Sequence, residues 1–251
     1  RWVDYWLKGI DTGIMDDPPV RIFVMGANKW KATTDWPLPE TKWTPFYLHA
    51  NGLLSEHEFW PNEGCSSFED NLFNPRRSLK FLSPPMVEET EVIGPIALTL
   101  YASTTDDEIL WFVNMFDVDP NGKERFLTKG WLRGSQRAID PEKSTPWEPF
   151  HPHTKREPLK PGQIFEFNIK IVSTANLFKA GHRIGLKISC ADDETPDNFL
   201  RATALGHLWR QTPSWITVFH NEDYPSCLLL PVTEGNIIGT YMSGGDIVLR
   251  S

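Results

Sequence analysis

The sequence predicts an all-β fold: a two-sheet β-sandwich, best arranged as a jelly roll, with a short helix at its N-terminus. Three observations carry this. Apolar and polar residues alternate over short segments. Phe165, Phe167, Ile169 and Ile171 interleave with Glu166, Asn168 and Lys170, and Ile184, Leu186 and Ile188 share one face of the next strand. Twenty-one prolines and 17 glycines punctuate the 251 residues, as many short strands require. No unit of 20–50 residues recurs, which excludes a solenoid or propeller. Strands far apart in sequence must therefore pair.

In chain order, residues 1–10 form the helix. Trp2, Val3, Trp6, Leu7 and Ile10 follow a helical stripe, and Gly9 and Gly13 stop it. So short a helix is marginal alone. Its apolar face needs a partner: the sandwich, a domain outside the chain, or a second copy in a homodimer. Residues 20–25 are a strand, and 26–45 read as a loop holding Trp30, Trp36 and Trp43. Phe46, Leu48 and Ala50 alternate up to the Asn51-Gly52 turn. Residues 55–77 read as irregular, before a brief strand at Leu79 and Phe81. Ile96, Leu98 and Leu100 mark the next strand. Residues 110–116 are apolar on both faces, as in a central strand covered on both sides. Pro120-Asn121-Gly122 turns the chain into a long strand at 126–137. A Pro-rich connection, 138–161, leads to the strand at 164–171, and a Gly181 turn feeds the strand at 183–189. A long polar loop, 192–213, carries one helical turn at 198–206. The last core strands are 215–219 and 227–232, and 234–251 is a Gly-rich extension with a strand at 247–249.

Hydrophobic residues make up 40% of the chain, enough for a sizeable core, and eleven tryptophans point to broad apolar contacts. A net charge of −8 without a basic stripe argues against nucleic acid or an anionic membrane as partner. No run approaches the ~20 apolar residues of a membrane span, and the start is not signal-like. Cys65, Cys190 and Cys227 are odd in number and lack metal-type spacing, so they read as free thiols of a reducing, cytoplasmic compartment. The chain begins at Arg1 and reads as an excised domain or a processed product.

Candidate chemistry is sparse. The stretch 117–122 imitates the start of a helical calcium loop, but Thr128 stands where a bidentate Glu is required, so a hairpin is the better reading. His151 and His153 offer two imidazoles, and two ligands do not make a metal site. His182, at a strand start, reads as a residue that satisfies backbone groups. A serine hydrolase needs its nucleophile on a sharp turn, typically Gly-x-Ser-x-Gly. Gly64-Cys65-Ser66-Ser67-Phe68 comes nearest and lacks the second glycine, a preceding strand and a following helix. No catalytic residue, metal or cofactor is assigned.

Several segments together resemble the CocE/NonD hydrolases, the cocaine-esterase-like relatives of the X-Pro dipeptidyl-peptidases. They are residues 4–11 followed by Pro18-Pro19-Val20-Arg21-Ile22-Phe23-Val24-Met25-Gly26, Val92-Ile93-Gly94-Pro95-Ile96-Ala97-Leu98, and Gly130-Trp131-Leu132-Arg133-Gly134-Ser135. Pro158-Leu159-Lys160-Pro161-Gly162, Leu177-Phe178-Lys179-Ala180-Gly181-His182-Arg183 and Pro225-Ser226-Cys227-Leu228-Leu229-Leu230-Pro231-Val232 complete the set, in family order. The resemblance implies the carboxy-terminal, galactose-binding-like jelly-roll domain of such enzymes. Residues 1–19 would be the last helix and linker of an upstream α/β-hydrolase domain, 20–233 the sandwich, and 234–251 an extension. The Ser-Asp-His triad would lie upstream of Arg1. The parent would cleave small acyl esters or amides, and this domain would pack on the catalytic one and help shape the substrate mouth. On that reading Trp2, Trp6 and Ile10 form the domain interface. The loop 190–213, with Asp192, Asp193, His207 and Trp209 and the neighbouring Trp111, faces the upstream hydrolase domain and supplies the substrate-mouth candidates. The rivals are a carbohydrate-binding jelly roll, which the tryptophans suit, and a purely structural or assembly domain.

Overall fold

The computed structural model describes residues 1–57, 63–71, 78–192 and 213–235. Helix α1 (Trp2–Lys8) comes first. The strands are β1 (Val20–Val24), β2 (Lys29–Thr33), β3 (Lys42–Leu48), β4 (Leu54–Ser55), β5 (Cys65–Asp70), β6 (Ser78–Leu82), β7 (Thr90–Thr104) and β8 (Leu110–Val118). They continue with β9 (Glu124–Arg133), β10 (Phe165–Phe178), β11 (Arg183–Ser189), β12 (Ser214–Asn221), β13 (Tyr224–Pro225) and β14 (Cys227–Glu234).

The fold is a β-sandwich whose layers are hydrogen-bonded into one large, nearly closed antiparallel sheet. The strand order is β4-β3-β14-β7-β10-β9-β8-β11-β6. β12 adds to the C-terminal half of β7 and carries β5 on its other edge. Leu53 bridges Leu82, which brings the β4 and β6 ends together. Five of the eight pairings along this path join strands that are not sequence neighbours, as the jelly-roll reading required. The inward faces of the alternating strands meet in one core that includes Phe46, Phe81, Leu98, Trp111, Phe167 and Leu186, each at most 1% exposed. β8 is covered on both faces, as its two-sided apolar pattern predicted.

Three segments differ from the sequence reading. Residues 26–45 contain β2 and the start of β3. β1 and β2 form a separate two-stranded ribbon, turned at Gly26 (φ +81°) and Asn28 (φ +54°). β2 alternates Lys with Trp or Ala and buries neither face, so it carried no strand signal. Residues 65–70 form β5, whose Ser, Glu and Asp content hid it. β10 runs seven residues past 171, because a bulge between Ile171 and Thr174 lets it stay paired with β7. The ribbon is held to β10 by Met25, whose N–H donates to Ala175 O while its carbonyl accepts from Leu177 N–H. A small second core of Val24, Leu38, Ile93 and Ala175 fills the junction. None of the three cysteines is in a disulfide; Cys65 is exposed, Cys190 buried and Cys227 half-buried. Among the described residues no helix is long and apolar enough to cross a membrane.

Candidate functional site

Helix α1 forms as its stripe predicted, capped by Gly9 in the left-handed conformation (φ +66°) and braced by the Lys8–Asp4 ion pair. It buries none of its residues. Trp2 is 62% exposed, Trp6 56% and Ile10 51%. Trp2 and Trp6 lean on each other at 5.7 Å between ring centroids, with Tyr5 edge-on to Trp6. Arg1 ties the helix back to the following segment through Asp17 at 2.9 Å. Met15 beyond the helix, and Phe23 and Trp30 on the ribbon, are also exposed. Of the three partners expected for the stripe, the sandwich does not take it.

The substrate-mouth candidates are only partly brought together. Asp192 lies just after β11 and pairs with Lys129 of β9 at 3.1 Å. Asp193, His207 and Trp209 lie outside the described residues, as do the helical turn at 198–206 and the extension from 236. Trp111 is fully buried, edge-on to Phe167 at 5.4 Å, and its Nε1 has no hydrogen-bond partner. The two-sided apolar pattern of β8 makes this side chain part of the core, so it reaches no surface of the chain.

Two buried polar networks escaped the sequence reading. In the first, His49 Nδ1 meets the Glu63 carboxylate at 3.0 Å and its Nε2 meets Ser55 Oγ at 2.9 Å. The same carboxylate lies 3.5 Å from His220 Nδ1, and His220 Nε2 meets Ser66 Oγ at 2.9 Å. This is Ser–His–Glu connectivity through His49, with His220 beside the same Glu but not hydrogen-bonded to it. Ser55 and His49 are completely buried, however, and Ser55 and Ser66 sit in strand ladders opposite Tyr47 and Val218. A hydrolase nucleophile stands exposed on a sharp turn. Burial, above all, lowers the His220 pKa and favours its neutral ring. Nearby, burial pushes the Glu56 carboxyl up to about 7.

The second network answers the question of His182. Its Nδ1 meets Asp117 Oδ1 at 2.7 Å, a side-chain carboxylate where backbone was expected. Arg125 donates to Asp117 Oδ2 at 2.8 Å and to Asn176 Oδ1 at 2.6 Å, so the network stitches β8, β9, β10 and β11. Asp119 closes the adjacent hairpin by accepting the N–H groups of Asn121 and Lys123. No short-range pattern signals either network, because partners such as Ser66 and His220 lie 154 positions apart.

What these observations define is an accessory β-sandwich: a stable core, buried polar cross-links, and an apolar helix offered outward. Residues 12–228 match the family described as the X-Pro dipeptidyl-peptidase C-terminal non-catalytic domain, and the chain belongs to that family. A Mycobacterium tuberculosis protein assigned as a serine esterase is 30% identical over 222 residues, covering 76% of this chain and 35% of its own length. Cocaine esterase of Rhodococcus sp. is 24% identical, over 92% of this chain and 44% of that enzyme. The chain thus spans between a third and a half of such relatives. The crystal structure of a CocE/NonD family hydrolase from Staphylococcus aureus superposes with a TM-score of 0.79 at 23% identity. It covers 92% of this chain and 44% of that one.

Proposed function

We propose that this chain is the C-terminal accessory domain of a serine hydrolase, and that the parent cleaves small acyl ester or amide bonds through an acyl-enzyme. The triad belongs to an upstream α/β-hydrolase domain, and the chain alone is not catalytic. The observation that carries the reading is α1: an aromatic helix ahead of the family match, formed but unburied on the sandwich. Each such side chain gains about 1.5–3 kcal/mol when fully buried. Trp2, Trp6 and Ile10 therefore serve as the surface on which the catalytic domain packs, in preference to a homodimer contact. The three thiols, none in a disulfide and one of them exposed, suit a cytoplasmic protein.

The substrate-mouth role goes to the loop opened by Asp192, with Asp193, His207 and Trp209. Carboxylates there would favour a cationic substrate group. The test uses the parent polypeptide. Asp192→Asn with Asp193→Asn should lower kcat/KM for cationic substrates and leave neutral ones unchanged. Equal values across both classes would remove the mouth assignment. Turnover of p-nitrophenyl esters by this chain alone, abolished by one serine substitution within it, would overturn the accessory-domain reading.

A further inference from the structure

The outer face of β9 and β10 carries a cleft that the accessory-domain reading does not use. Its volume is about 480 Å³, in the range of small-molecule sites. Outward positions of the two strands supply Trp131, Arg133, Lys170 and Val172. The Pro-rich connection folds over them and adds Phe150, His151 and His153. The strands approach closely because Gly130 stands at their crossing, where a Cβ would lie 2.5 Å from Lys170 O.

The connection is held in place by its own hydrogen bonds. Phe150 O accepts from Asp140 N–H, and Phe150 N–H donates to Ser144 Oγ. His151 places Nδ1 at 3.1 Å from Ala138 O and Nε2 at 2.8 Å from Asn168 O. Trp147, in the same connection, stacks on Trp43 at 4.3 Å. The walls are thus preformed, and Trp131 and Phe150 remain exposed in them.

Among the described residues the lining holds Arg133, Lys170 and two histidines and no carboxylate, and the Lys170 ammonium is paired with Glu148, so Arg133 is the charge presented to a ligand. Arg133 pairs with Glu108 through Nε at 3.6 Å and is 49% exposed, so the guanidinium still meets solvent at the cleft. Lys143 lies over the Phe150 ring and is paired with Asp140. Two aromatic walls, an apolar floor and a cationic rim complement a flat apolar body with a carboxylate at one end. A sugar is the poorer fit, because its hydroxyls call for carboxylates or amides, and Gln136 is the one such side chain here.

We propose that this cleft binds a small aromatic carboxylate, with the ring against Trp131 and Phe150 and the carboxylate toward Arg133. The assignment is independent of the hydrolase reading. The probe is 2-naphthoate, titrated by calorimetry into the whole chain, with 2-naphthylmethanol as neutral analogue and methyl β-galactoside as sugar. The expected result is one-site binding of naphthoate, at least about tenfold tighter than the alcohol, ~1.4 kcal/mol. Trp131→Ala and Arg133→Gln should each weaken it by about that factor with melting unchanged. On the unmutated chain, intermolecular NOEs should run from naphthoate to the Trp131 indole, which removes dependence on the variants folding. No saturation at millimolar naphthoate, equal affinity for the alcohol, preference for the sugar, or affinity untouched in both variants would each overturn the proposal.

Discussion

Glu108→Gln should destabilise this domain by about 2–3 kcal/mol, although the change removes no volume. Glu108 is buried, and its two oxygens do different work. Oε1 accepts the N–H of Ser135 at 2.8 Å and of Ile109 at 3.2 Å. Oε2 accepts the Ser135 hydroxyl at 2.6 Å and faces Arg156 at 3.5 Å and Arg133 at 3.6 Å. The arginines are 57% and 49% exposed, so water replaces what they lose, and each pair is worth about 0–1 kcal/mol. Ser135 is 1% exposed and has no such recourse. Hydrogen bonds to a buried charge are worth about 1.5–3 kcal/mol, and a stranded donor costs about 1–3. An amide keeps one acceptor for the Ser135 N–H. Its NH2 then points at two guanidinium groups, donor against donor. Glu108→Ala strands both Ser135 donors and the Ile109 N–H and should cost about 3–5 kcal/mol, in the range for breaking a buried charged network.

Urea denaturation of the two variants, with Ser135→Ala and the Glu108→Gln/Ser135→Ala double variant, separates the contributions. Coupling between Glu108 and Ser135 should be about 1 kcal/mol or more, and Arg133→Gln and Arg156→Gln should each cost less than about 1. The reasoning fails if Glu108→Gln lies within about 0.5 kcal/mol of the parent sequence. It also fails if either arginine variant matches Glu108→Gln, because the ion pairs and not the Ser135 anchor would then dominate.

Glu56 should make the fold lose stability on the alkaline side. Its folded value of about 7 exceeds the ordinary 4.5, so the contribution is full below about 4.5 and is lost as pH rises through 7. Glu56→Gln should therefore raise stability above pH 7 by on the order of 1 kcal/mol, read as a higher Tm, once solvent reaching this half-buried group is allowed for. An unchanged Tm at pH 8 would refute it. His220 works in the opposite sense: its lowered value makes protonation favour the unfolded chain, so stability falls as pH drops below 6.5, and His220→Asn should flatten that acid limb of a Tm–pH profile. Gly130→Ala should cost about 1–3 kcal/mol by forcing β9 and β10 apart, read as a drop in urea midpoint, and a neutral result would mean the strands can separate freely. Trp2→Ser with Trp6→Ser should leave the stability of this chain within about 0.5 kcal/mol, because both side chains are exposed, and a larger loss would show that α1 packs on the sandwich after all.

Legibility in the sequence followed burial. Where one face of a strand is buried, the period of two was visible, as in β7, β10 and β11; β11 was placed at its bounds, while β7 starts six residues earlier and β10 ends seven residues later than expected. β2 and β5 were invisible, because strands that bury little or are rich in Ser, Glu and Asp do not alternate in hydrophobicity. The α1 stripe was legible as a helix for the same reason, although its covering surface is elsewhere. Trp111 was misjudged as a mouth residue. Its neighbours Phe112 and Val113 are as apolar as it is, which marks a strand covered on both faces and leaves no outward side for substrate.

The buried polar networks were the least legible feature, and they account for something the apolar pattern cannot. A strand of alternating Ile, Leu and Val packs almost as well after a slip of two residues, because the same face stays inward. Hydrophobic patterning therefore selects the face and leaves the register weakly chosen. The polar pins remove that freedom. Ser66 with His220 fixes β5 against β12, and Asp117 with His182 and Arg125 fixes β8 against β11 and β9. Ser226 accepts the Tyr101 N–H and donates to Phe219 O, fixing the entry of β14 against β7 and β12. A two-residue slip would strand each of these groups at about 1–3 kcal/mol apiece, while the apolar contacts would barely change. The Ser–His–Glu connectivity around Glu63 belongs with these pins. Its geometry imitates a catalytic triad because the same donors and acceptors that move a proton in an open site hold strands in a closed one.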